Sequence, residues 1–168
     1  DDAALASDGG LVVSGAEPVR RIFLDPDVDE IPAGVTIASA RLVLTIDQAR
    51  VPGDTLTVVA RTVLSEFVGE KTVLGTIAPA TVLGAVVVPP TAAQGDTLSF
   101  ETSLLTRLVR EWFRNPDSRL GLALTLVDER SAFGGVRFFG PEAAAAVRPR
   151  IRILFFRPSD PGLGNPTS

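Results

Sequence analysis

The feature that most restricts this chain is a period-two alternation of apolar and polar residues, broken repeatedly by turn chemistry. From Ile37 to Ile46, Ala40, Leu42, Leu44 and Ile46 share one face while Arg41, Val43, Thr45 and Asp47 share the other, the pattern of a half-buried strand. Further strands are predicted at Leu11–Ser14, Val19–Leu24, Thr55–Leu64, Thr72–Leu74, Thr81–Val88, Thr97–Phe100, Leu120–Val127, Val136–Phe139 and Arg150–Phe156. Between them stand Ile31-Pro32-Ala33-Gly34, Val51-Pro52-Gly53-Asp54, Val88-Pro89-Pro90, Gln94-Gly95-Asp96 and Asn115-Pro116-Asp117, all with residues that favour turns. One stretch departs from this rhythm. From Ser103 to Arg114, Leu104, Leu105, Leu108, Val109 and Trp112 recur at helical spacing, opened by Thr102 or Ser103 and stopped before Pro116. The expectation is an all-β protein: a jelly-roll-like antiparallel β-sandwich with one short amphipathic helix at about 103–114.

At 168 residues the chain suits one domain with a substantial core, expected over 1–157 with an N-terminal arm at 1–10 and a Pro/Gly-rich C-terminal tail at 158–168. His and Cys are both absent, so there is no imidazole base, thiolate nucleophile, zinc-finger ligand set, haem or iron–sulfur ligation and no disulfide framework. The net charge of −4 lacks the basic surplus of a nucleic-acid binder. No apolar run reaches the roughly 18 residues of a membrane span. The chain starts Asp1-Asp2-Ala3 and contains no methionine, which is read as a removed leader or a fragment. A removed leader predicts export to the periplasm or to the cell surface and medium.

Three stretches in order carry a family resemblance. Arg21-Ile22-Phe23-Leu24-Asp25-Pro26 runs through Ile31-Pro32-Ala33-Gly34 to Ser39-Ala40-Arg41-Leu42; Thr106-Arg107-Leu108-Val109-Arg110-Glu111-Trp112 precedes Gly121-Leu122-Ala123-Leu124; and Phe138-Phe139-Gly140-Pro141-Glu142 precedes Arg148-Pro149-Arg150-Ile151. Together they resemble the DNRLRE-type β-sandwich family, which includes carbohydrate-binding and disaggregatase-related surface modules. The resemblance covers about residues 20–156 and implies a secreted sandwich with a possible glycan ligand. Pro26 stands where the family has Phe, and Gly140 where it has Ser.

Asp25, Asp27 and Asp29 alternate along the chain and offer hard oxygen ligands for calcium as a cofactor; the competing reading is a solvated acidic strand end. Glu66 with Glu70, or Asp128 with Glu129, are carboxylate pairs for which the sequence shows neither the cleft nor the aromatic platforms of a glycosidase, so they are read as solvated faces, and Ser65 with Lys71 has no Ser-x-x-Lys spacing. Trp112 shares the helix face of Leu105, Leu108 and Val109 and is assigned to the core. Phe138-Phe139 and Phe155-Phe156 are paired on strands, where neighbours point to opposite faces, so one of each pair is expected to face outward unless a loop or the tail covers it. These four are the candidate partner-binding residues. Mean hydropathy of +0.29 is high for a soluble sandwich and favours a sticking surface. The expected function is therefore a non-enzymatic accessory or structural subunit that docks by apolar strand faces and termini onto protein partners in a larger surface, periplasmic or membrane-associated assembly. A carbohydrate-binding or adhesive surface module is the alternative.

Overall fold

A computed structural model describes residues 9–15, 19–51, 53, 55–64, 82–129 and 133–158. The expected strand at Thr72–Leu74, the Glu66/Glu70 and Ser65/Lys71 pairs, most of the N-terminal arm and nearly all of the C-terminal tail lie outside these residues. In chain order the elements are β1 (Leu11–Ser14), β2 (Ile22–Leu24), β3 (Thr36–Arg50), β4 (Leu56–Thr62), β5 (Val82–Val88), β6 (Thr97–Glu101), α1 (Ser103–Arg114), β7 (Leu122–Leu126), β8 (Gly135–Phe138) and β9 (Arg150–Phe156). Among the described residues every strand pairing is antiparallel. One sheet runs β1-β8-β3-β6 and the other β2-β7-β4-β5. That order, in which strands 1, 8, 3 and 6 face strands 2, 7, 4 and 5, is the eight-stranded jelly roll.

The ninth strand is an addition to this plan. Phe138, the last residue of β8, pairs with Ile46 of β3, and Arg150, the first of β9, pairs with Val43 of the same strand. The chain therefore follows one edge of β3, loops away over residues 139–149, and returns to the same edge as β9. The Phe139 amide still donates to Thr45 O at 3.0 Å before the loop departs.

The alternation in β3 places Ala40, Leu42, Leu44 and Ile46 in the core as expected. Val43 and Thr45 on the opposite face are buried too, although Arg41 on that same face is exposed. Register shifts between Ile37 and Ser39 and between Ile46 and Gln48 reverse the phase of the alternation at each end.

Helix α1 spans the predicted 103–114. Thr102 caps it, its hydroxyl accepting from the Leu105 amide at 3.1 Å. Leu105, Val109 and Trp112 are buried as expected, Trp112 with 1% exposure, whereas Leu104 and Leu108 are only half-buried at the flanks. Thr106 takes the remaining inward position. Its hydroxyl accepts the Ala40 amide at 3.1 Å and donates to Thr102 O at 3.1 Å. One turn later Arg110 donates to Ile37 O (2.8 Å) and Ala38 O (3.2 Å). Beyond the point where β6 ends, the helix thus supplies the hydrogen bonds that β3 lacks.

Candidate docking edge and intersheet cleft

The apolar strand pairs resolve differently. Phe138 is fully buried and belongs to the core, while Phe139 is half-buried. Phe138 is thus placed among core residues and not on a contact surface. In β9 both aromatic residues reach solvent, Phe155 at 39% and Phe156 at 55% exposure, joined by Leu154 at 65%. Two physical causes combine. Arg150, Arg152, Leu154 and Phe156 alternate with Ile151, Ile153 and Phe155, so Leu154 and Phe156 lie on the outward face with the arginines. Phe155 pairs with the buried Ile37 on the inward face, but β9 lies at the margin of its sheet.

Among the described residues β9 pairs only with β3, so its second edge carries unpaired backbone donors and acceptors. The row through its centre is Glu101, Arg41 and Arg152 on β6, β3 and β9. Arg41 and Glu101 form an ion pair. Arg152, exposed at the open end of the row, has no ion-pair partner among the described residues.

Asp25, Asp27 and Asp29 converge on the guanidinium of Arg119, which follows the helix. Arg119 Nε lies 3.1 Å from Asp25 Oδ1, and Nη1 lies 3.9 Å from Asp27 Oδ1 and 3.7 Å from Asp29 Oδ1. The alternation also builds a turn, since Asp27 Oδ1 accepts the Asp29 amide at 2.8 Å and the buried Val28 O accepts the Ile31 amide at 3.1 Å. Among the described residues no group of three or more acidic side chains is placed to hold a metal ion. The counter-charge at the three aspartates is Arg119. Of the carboxylate pair Asp128 and Glu129, Glu129 is held in a two-point bond by Arg21, with Nε to Oε1 at 2.7 Å and Nη2 to Oε2 at 2.5 Å. This bond raises the Arg21 pKa above its ordinary value, against an opposing effect of burial.

A cleft of about 330 Å³ opens between the sheets where the 139–149 loop leaves the edge of β3. Leu11, Phe23, Leu42 and Ile151 supply apolar wall, and Asp25 and Arg150 supply charge. Arg150 Nη1 donates to Ala146 O at 2.8 Å, while its Nε is buried without a hydrogen-bond partner.

The sequence reading named Phe155 and Phe156 but missed Leu154, Arg119 and Arg150. Extending the Arg-Ile alternation of β9 through Leu154 would have placed that side chain outward. The Arg119 arrangement, like the placing of Arg150 at the intersheet cleft, arises from residues brought together by the fold and leaves no local signal. No protein-family model matches the sequence, and no match to a curated protein is found.

Proposed function

We propose that this jelly roll is a non-enzymatic docking subunit of a larger protein assembly and that β9 is its contact strand. The observation that carries this reading is the coincidence, on one strand, of an unpaired edge with exposed Leu154, Phe155 and Phe156. Full burial of a large apolar side chain contributes about 1.5–3 kcal/mol, so covering what remains exposed on these three adds about 2–5 kcal/mol before the entropic cost of association. Photo-crosslinking residues placed at 154 and 156 in producing cells test this. A discrete protein adduct is expected from both positions and none from exposed Glu111 on the helix. No adduct, or a purified complex burying less than about 800 Å² in total, refutes the proposal.

A second reading, a carbohydrate-binding or adhesive surface module, draws support from the cleft, where Phe23 stands beside Asp25 and Arg150 as an apolar platform with polar groups near it. Glycan-array binding lost in Phe23→Ala would favour it over the protein-docking reading, and silence on the array would exclude it.

A further inference from the structure

We propose that the open edge of β9 takes up an extended strand from a different protein, antiparallel to β9, with the pattern apolar-x-apolar-x-acidic. This rests on the docking reading above and specifies the partner's chemistry. The outward face of β9, read backwards, presents Phe156, Leu154 and Arg152 in succession. An incoming antiparallel strand meets them in that order at alternate positions, so its first two outward side chains meet apolar surface and the third meets Arg152. The third position is the selective one. In the row Glu101-Arg41-Arg152 a negative charge is followed by two positive ones, with Arg41 already paired to Glu101. Like charges opposite one another destabilise a sheet, and a carboxylate added beyond Arg152 gives it the counter-charge that Glu101 gives Arg41. The surrounding segment points the same way: residues 148–157 contain four arginines and no acid, in a chain whose net charge is −4.

The same charges argue against a second copy as the occupant. Antiparallel pairing of two β9 strands about Ile153 sets Arg152 against Leu154 and Arg150 against Phe156, brings two four-arginine segments together and supplies no carboxylate. Strand addition to a sheet edge draws affinity from main-chain hydrogen bonds and specificity from alternate side chains, which matches an edge with one apolar half and one basic half.

The probe is the capped peptide Thr-Val-Thr-Val-Thr-Glu-Thr, titrated into the full chain with β9 amide resonances as the readout. Its two Val residues register on Phe156 and Leu154 and its Glu on Arg152. Wild-type protein is expected to bind this peptide roughly three- to tenfold more tightly than the version with Lys in place of Glu, and Arg152→Glu is expected to reverse that order. N-methylation of alternate peptide nitrogens facing β9 is expected to abolish binding. Equal binding of the Glu and Lys peptides, no response of β9 at millimolar peptide, or undiminished binding of the methylated peptide each overturns strand addition. So does concentration-dependent dimerisation of the free protein that perturbs the same β9 amides. Any of these alongside a positive crosslink at 154 and 156 leaves the broader docking reading standing; a negative crosslink removes that reading itself.

Discussion

Replacing Thr106 with Val tests whether α1 acts as a substitute strand for β3. The two side chains have nearly the same shape and similar helix propensity, so packing is retained and one hydroxyl is removed. Thr102 O keeps a partner, because it also accepts the Thr106 amide at 3.0 Å. The Ala40 amide does not: its residue is 0% exposed and its donor is directed at Thr106 Oγ1. A buried donor stripped of its acceptor costs about 1–3 kcal/mol. In a chain of this size 1 kcal/mol moves Tm by about 2–4 °C, so a loss of 2 kcal/mol lowers it by about 4–8 °C. Thr106→Ser keeps the hydroxyl and loses one methyl, for a smaller loss of about 1 kcal/mol. Urea titrations of the three proteins give the energies, and hydrogen exchange at the Ala40 amide, faster in the Val variant, locates the defect. A Val variant within about 0.5 kcal/mol of wild type, or a Ser variant no better than the Val one, shows that the hydroxyl is not what holds β3 there.

Gly140→Ala places a Cβ 1.8 Å from Gly9 O, a backbone atom, so the loop after β8 and the approach to β1 must separate; a loss of about 1–3 kcal/mol is expected in denaturant titration, and a neutral result refutes this close contact. Arg119→Ala leaves Asp25, Asp27 and Asp29 without their counter-charge, but these carboxylates are largely exposed, so stability falls by no more than about 1 kcal/mol. With Arg119 in place, millimolar calcium is expected to leave Tm unchanged in a thermal melt, and a rise of more than about 2 °C would return the three aspartates to the role of metal ligands. Leu154→Ser combined with Phe156→Ser is expected to cost the isolated protein no more than about 2 kcal/mol in urea, since most of both side chains is already in water, while abolishing co-purification of the protein identified in the crosslinked adduct. Unfolding of that variant would mean that the two residues serve the core.

Much of the fold was legible because sheet strands record their burial in side-chain type. Leu11–Ser14 and Arg150–Phe156 coincide with β1 and β9, and Ser103–Arg114 coincides with α1. The losses fall where backbone geometry changes without a matching change in residue type. The bulge between Ile37 and Ser39 returns Ile37 to the inward face, and nothing in Ile-Ala-Ser announces it. Thr106 stands outside the apolar pattern of the helix, and its acceptor role depends on a strand 66 positions away. Gly121, part of the Gly-Leu-Ala-Leu stretch, does carry a readable reason: φ is +78°, and a Cβ would approach Leu24 O within 2.5 Å. The candidate surface was half legible. Phe155-Phe156 stood out as a pair, but the arginine row that gives the edge its charge preference exists only after β6, β3 and β9 are brought into register.

The place of β9 in the topology bears on why such a surface can persist. Eight strands already close the jelly-roll order, and β9 is a return of the chain to an edge of β3 beyond β8. Its inward residues Ile151 and Ile153 pack against the core while Leu154 and Phe156 point away from it. The outward residues can therefore change with little loss of core packing, and the inward ones cannot. Exposed apolar side chains on an unpaired edge carry a risk of self-association, and natural edges limit it with charge. Here the charge is all of one sign, Arg148, Arg150, Arg152 and Arg157. Under the strand-addition proposal, charge of one sign repels a second copy and attracts an acidic strand, so the same arginines would both guard β9 against self-pairing and select what pairs with it.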